Sequence, residues 1–280
     1  LMKQGEVQNV VRLNHEAVRL NHVSVHGNET LLLQNISLDI QRGEIVAVIG
    51  ANGSGKSTLA KVIAGLFPTT WGEVERYIEP VGVILQNPEL QIVGETVFED
   101  LCFGMENMAV DPDVMPERAY LALQELGLSD KLHVPVAHLS GGQKQLLNMA
   151  GCLAVQAELL VCDEVTSMLD MNSRKLVLHT VQKLRQRGKT IVWITHFMEE
   201  LYLADRIVVL DGGKMAFCGS RFDFFYSGHP SPSVCERMGF QLPYAVRFSR
   251  KWMELGGNLG CFPVSAAELK EALGSGGERK

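Results

Sequence analysis

The chain has 280 residues, 46% hydrophobic and 21% charged, with a formal net charge of -6. That length buries a substantial core, and the composition excludes a disordered chain or a coiled coil. The acidic balance leaves no basic footprint, so nucleic acid is not an expected partner.

The segment "VRLNH" occurs at 11–15 and again at 18–22. A period of seven over two copies is too little for a repeat architecture. Residues 1–17 are read as a leader, and the second copy running into "VSV" at 23–25 as a short edge strand. "LLLQNISLDIQRGEIVAVIG" predicts a strand, a turn at Arg42 and Gly43, and a β-branched strand of the buried parallel type. Apolar runs such as "IVAVIGA" at 45–51 are far below the roughly 18 residues that span a bilayer. The N-terminal stretch has no signal-peptide pattern, so the chain is not expected to enter a membrane itself.

Further strands are predicted at 81–86, 158–164 and 190–196, each ending in a polar residue. Ligands of open α/β sheets sit at the carboxyl ends of strands, so Gln86, Asp163, Glu164 and His196 are expected to converge. Residues of about 95–155 are mostly helical, with helical apolar spacing at 116–128. A strand pair with a Gly-Gly turn follows at 206–219. Beyond it, prolines and glycines break the chain into short segments, an accessory domain over 220–280. Ser265 and Glu268 there predict a capping box for a last helix ending near Leu273, with "GSGGERK" as a frayed tail. Six cysteines without C-x-x-C spacing point to a reducing compartment and no structural zinc.

Gly50 to Ser57 matches G-x-x-x-x-G-K-[ST], between a buried strand and a helix. In such a loop Gly50, Asn52, Gly53, Ser54 and Gly55 curl backbone N–H groups around phosphate oxygens, and the helix N-terminus adds a favourable dipole. Lys56 is expected on the β and γ phosphates, Ser57 on Mg²⁺ and Thr58 on a phosphate. Asp163 is the expected metal-organising carboxylate, and Glu164 the general base of phosphoryl transfer. His196 is assigned to the γ-phosphate and to holding the attacking water or Glu164. Gln86 is assigned to the metal or the water. These assignments give a P-loop NTPase core of the α/β class: a mainly parallel sheet with an antiparallel edge, an inserted helical subdomain and a small helical C-terminal domain.

With "LSGGQ" at 139–143 and "SMLD" at 167–170 added, the ordered set resembles the ATP-binding cassette ATPases over about residues 18–219. The resemblance implies that two cassettes pack head to tail. Ser140, Gly141 and Gly142 of one then contact the γ-phosphate held by the other's phosphate loop, with Gln143 and Asp170 among the nucleotide-binding residues. "LQNPELQIVGETVFEDLCFGMEN", "LSGGQKQ", "DEVTSMLD" and the "GFQLPYAVR" tail are similar to the ATPase subunits of energy-coupling factor transporters. That likeness implies ATP-driven uptake of a vitamin or of cobalt or nickel ions from the cytoplasmic membrane face. It also implies a second ATPase subunit, a transmembrane partner gripping the segment after Gln86, and a separate substrate-binding membrane subunit. "TSMLD" is more like the first ATPase type of that group, which favours a heterodimer. The C-terminal segment is then expected to serve dimerisation.

Some positions depart from the family pattern. The usual adenine-stacking aromatic is replaced by Val25, His26 and Gly27, leaving His26 as the candidate ring. Leu146 and Met171 stand where relatives commonly have Arg and Pro. The competing readings are a soluble cassette ATPase of DNA-maintenance or translation-factor type, and a generic importer ATPase.

Overall fold

A computed structural model describes residues 15–27 and 30–275. In chain order its elements are β1 (Glu16–His26), β2 (Leu31–Gln41), β3 (Ile45–Gly50), α1 (Lys56–Ile63), β4 (Trp71–Arg76), β5 (Val81–Ile84), α2 (Val97–Asn107), α3 (Met115–Glu125) and α4 (Gly141–Ala154). There follow β6 (Leu159–Asp163), α5 (Met171–Gln186), β7 (Thr190–Ile194), β8 (Arg206–Asp211), β9 (Lys214–Ser220), α6 (Arg221–Phe225), α7 (Val234–Arg237), α8 (Tyr244–Glu254) and α9 (Ala266–Ser275).

The larger sheet has the order β5-β6-β7-β3-β8-β9, parallel except for β9, which pairs antiparallel with β8. β3 lies inside it, and five of its six residues are buried. Side chains alternate across a strand, so Ile45, Ala47 and Ile49 enter one core while Val46 and Val48 enter the other. Burying each such Val or Ile contributes about 1.5–3 kcal/mol, which anchors the strand that delivers the phosphate loop. One core lies between this sheet, α1 and the antiparallel sheet β2-β1-β4. The other collects α2, α3, α4 and α5 together with Phe224, Phe225, Tyr226, Cys235, Val246 and Val264 of the C-terminal segment.

β1 differs from the expected short edge strand. It is 11 residues long and lies between β2 and β4. Its register shifts around His22, whose φ of 49° marks a local bulge, and pairing continues on both sides. The second partner, β4, was not anticipated because "WGEVER" lacks a buried face; only Val74 and Glu75's neighbour Arg76 are half-covered. Of the expected leader, residues 1–14 lie outside the described residues, while Glu16 and Ala17 already belong to β1. The predicted cap of the last helix is present, since Glu268 N donates to Ser265 Oγ and Ser265 N to the Glu268 carboxylate. That helix runs on to Ser275, and the rest of the expected frayed tail, 276–280, lies outside the described residues.

Candidate functional site

β3 ends at Gly50 and α1 begins at Lys56, so residues 51–55 form a loop at the carboxyl edge of the sheet. Gly55 occupies the N-cap of α1 with φ 101°. A β-carbon there would lie 2.7 Å from the Leu32 carbonyl oxygen, so the position admits only glycine. Among the described residues no side chain caps α1, which leaves its first N–H groups for an anion. Lys56 is buried, and its ammonium donates to the carbonyls of Gly50 and Ala51 at 3.0 Å each. Among the described residues Ser54 Oγ is buried with no hydrogen-bond partner. Leu32, Asn52, Gly53, Gly55, Lys56, Ser57, Thr58 and Glu164 line a cavity of about 320 Å³. Its open N–H groups, cation and hydroxyls fit a phosphate chain.

Asp163 closes β6, and burial raises its pKa above the ordinary carboxylate value; the Ser57 hydrogen bond opposes that, Glu164 adds to it, and Lys56 and Lys61 oppose it. Among the described residues no cluster of three His, Cys, Asp or Glu can hold a metal by itself. A cation bound through one carboxylate and one hydroxyl, completed by substrate phosphates, is the arrangement magnesium favours, so Asp163 and Ser57 fit it.

Glu164 has φ 50°, a conformation uncommon for a side chain of its size and costing about 1–3 kcal/mol unless its surroundings hold it. They do: Glu164 N donates to Ile194 O at 3.0 Å, and the Ser167 hydroxyl and amide donate to Glu164 O at 2.8 and 3.0 Å. The turn aims the carboxylate at the end of β7, where His196 Nδ1 lies 3.3 Å from Glu164 Oε2. Gln86, two residues beyond β5, donates through Nε2 to Ser167 Oγ at 3.0 Å. The ends of β5, β6 and β7 therefore meet beside the phosphate loop.

Ser140, Gly141, Gly142 and Gln143 form a separate element. Ser140 is the N-cap of α4, where its Oγ accepts from Gln143 N and Gln143 Oε1 accepts from Ser140 N. Asp170 caps α5, accepting from the amides of Asn172 and Ser173 and from the Ser173 hydroxyl; these bonds, the hydroxyl's first, lower its pKa. Gly142 packs on Ser173, so the two helix starts adjoin. None of these five residues lines the phosphate cavity.

α4 also grips the chain after β5. Gln145 Nε2 donates to the carbonyls of Leu85 and Gln86 at 3.1 and 3.0 Å, Asn148 donates to Pro88 O at 3.2 Å, and Lys144 pairs with Glu89 at 2.5 Å.

His26 is exposed at the end of β1, its amide donating to Thr70 Oγ1. Its ring meets Trp71 edge-on with centroids 4.8 Å apart, and Trp71 is 59% exposed. Sequence reasoning missed Trp71; the available signal was a tryptophan in an otherwise polar stretch. A larger cavity of about 680 Å³ borders α6 and α9. Its cation, Arg221, is engaged by Glu268 and by Tyr202 O, so it offers no phosphate cradle.

Comparison with known proteins agrees with this geometry. The ABC transporter family model matches residues 33–167. The chain is 42% identical over 226 residues to the energy-coupling factor transporter ATP-binding protein EcfA of Methanosarcina acetivorans, spanning 74% of this chain and 82% of that protein. It is 37% identical over 280 residues to EcfA1 of Listeria monocytogenes serotype 4b, spanning 95% and 97%. The chain belongs to the energy-coupling factor transporter ATP-binding proteins. A solved structure of cbiO1 from Clostridium perfringens, described as part of the ABC transporter complex cbiONQ, superposes with a TM-score of 0.71 at 25% identity, over 84% of this chain and 98% of that one. As an energy-coupling factor ATP-binding protein the chain hydrolyses ATP to drive transport, which decides against a soluble, non-transport cassette. Among the described residues no helix is long and apolar enough to cross a membrane.

Proposed function

We propose that this ATPase works as one half of a paired motor, in which each catalytic site is shared between two cassettes. The observation that carries this reading is the separation of two helix N-termini: Ser140 to Gln143 at the start of α4 lie outside the cavity that Asn52, Gly53, Gly55, Lys56, Ser57 and Thr58 line, and so does Asp170. The α4 N-terminus, with Ser140 exposed, suits a γ-phosphate held by another chain. The preferred partner is a different ATPase subunit, which makes the pair a heterodimer.

Within its own half, Gly50, Asn52, Gly53, Ser54, Gly55, Lys56 and Thr58 bind the phosphates. Ser57, Asp163 and Gln86 are the residues that would hold Mg²⁺. When bound, that ion neutralises charge on the phosphates. Glu164 takes the proton of the attacking water, and His196 orients Glu164 across the 3.3 Å contact. The base of the nucleotide stacks on His26 with Trp71 beside it.

The face after Gln86 is the docking site for a transmembrane subunit. Leu90, Val93 and Phe103 are 74%, 63% and 44% exposed there, and a cavity of about 290 Å³ opens between Val93 and Glu106. Exposed apolar groups of this kind mark a protein contact. The chain then lies on the cytoplasmic face of the cell membrane, and a separate membrane subunit selects the cargo, a vitamin or a transition-metal ion.

Mixed dimers carrying Ser140→Ala in this chain alone test the pairing. Hydrolysis at the partner's phosphate loop is expected to fall while nucleotide binding at this chain's own loop is retained. Loss confined to this chain's own loop would overturn the shared-site reading.

A further inference from the structure

The 3₁₀ turn after β7, Met198–Leu203, carries a carboxylate that the roles above do not use. Glu200 is 1% exposed. Its Oε1 accepts from Thr166 Oγ1 and from Arg174 Nε, both at 2.7 Å. Its Oε2 accepts from Trp193 Nε1 at 3.0 Å and from Thr195 Oγ1 at 2.6 Å. Four donors saturate an ionised carboxylate, and no other side chain of this shape accepts four bonds. A buried charge is costly unless it is paired, so core packing alone would favour an apolar residue here.

The donors come from places that matter to the chemistry. Thr166 lies two residues after Glu164, in the turn that holds its left-handed backbone. Thr195 directly precedes His196, and its hydroxyl also accepts from Phe197 N at 3.1 Å. Arg174 belongs to the first turns of α5, next to the Asp170 cap, and its guanidinium lies 3.5 Å from the centre of the Phe197 ring. That ring in turn lies 4.1 Å from the His196 ring. Both sides of His196 and the turn carrying Glu164 are thus tied to one carboxylate.

We infer that Glu200 is a positioning residue for hydrolysis: it sets the register between the β6 turn bearing Glu164 and the β7 end bearing His196. The inference rests on the proposed roles of those two residues. In Glu200→Gln an amide N–H₂ replaces one oxygen and faces donors, so either the Thr166 side or the Thr195 side loses an acceptor. The register then loosens without any group that touches nucleotide being removed.

The test measures ATP turnover and nucleotide affinity of the assembled transporter ATPase for Glu200→Gln, His196→Ala, Glu164→Gln and the combinations of the first with each of the others. A displacement of about 1 Å in a catalytic constellation costs on the order of 10²-fold in rate. Glu200→Gln is expected to lower kcat by about 10- to 100-fold, with KM for ATP within about twofold. Added to His196→Ala, it is expected to cost less than about threefold more. An unchanged kcat, a change in KM alone, or a full additional loss in the His196→Ala background would each overturn the inference.

Thr195→Val, which keeps the volume and removes one hydroxyl, supplies the same readout if Glu200→Gln does not fold. It is expected to lower kcat, with Thr195→Ser restoring it; normal turnover in Thr195→Val overturns the inference in that case. Near-normal hydrolysis in Glu164→Gln together with the expected non-additivity at His196 would remove the general-base assignment and leave the positioning role of Glu200 standing.

Discussion

Gly142 of α4 and Ser173 of α5 approach so closely that a β-carbon on the glycine would lie 2.6 Å from the Ser173 β-carbon and 3.2 Å from its α-carbon. Neither atom is the far end of a flexible chain, so a larger residue must push the helix starts apart. Gly142→Ala is expected to cost about 1–3 kcal/mol of stability through overpacking. Hydrolysis in the assembled complex should fall at least about tenfold, with nucleotide binding at the chain's own phosphate loop preserved. Thermal unfolding, nucleotide titration and turnover on one preparation check the three parts.

Glu164→Gln removes the proposed proton acceptor and keeps the volume. Turnover is expected to drop by about 10² to 10⁴-fold, the range for losing a general base, while ATP still binds. Single-turnover hydrolysis alongside equilibrium binding separates the two effects, and a variant hydrolysing at near-normal rate would take Glu164 out of the role.

The Trp71 and His26 rings give a different expectation. Stacking a base on an aromatic side chain is worth about 1–3 kcal/mol, so His26→Ala should weaken ATP binding by roughly 5- to 150-fold. Affinity for inorganic tripolyphosphate, which has no base, should not change. Equal loss for both ligands would place the defect in the phosphate loop instead.

Acid stability should depend on Glu236. Burial pushes its pKa up, but the Arg250 guanidinium at 2.5 Å and the Ser233 amide and hydroxyl outweigh that, and its carboxyl ends below the usual value. A carboxylate depressed on folding stabilises the native state above its unfolded pKa of about 4.3, and that contribution is lost as pH falls through the lower folded pKa. Unfolding midpoints measured between about pH 6 and pH 3 should therefore decline less steeply in Glu236→Gln, which starts from a lower value.

The strands of the larger sheet were readable because buried parallel strands are continuous apolar runs, as "IVAVIG", "LLVCD" and "TIVWI" are. Their polar ends announced which residues would meet, and His196 and Glu164 do lie side by side. β4 was not readable because its pairing with β1, rather than any pattern of its own, makes it a strand. Trp71 stayed hidden with it. Glu200 left no local signal, since its partners are spread from Thr166 to Thr195 and only the fold assembles them. The double occurrence of "VRLNH" was likewise uninformative: the second copy lies within β1, its Leu20 inside the core and its His22 at the bulge.

The grip of α4 on the chain after β5 makes two distant surfaces one mechanical part. Three helical positions on one side, Lys144, Gln145 and Asn148, fasten residues 85–89, and the exposed Leu90 follows immediately. Ser140 caps the same helix, and the exposed Leu90 and Val93 lie just past the fastened segment. A shift of the helix start is therefore expected to be passed on to Leu90 and Val93 through these side-chain bonds, and Gln145→Ala to weaken that link.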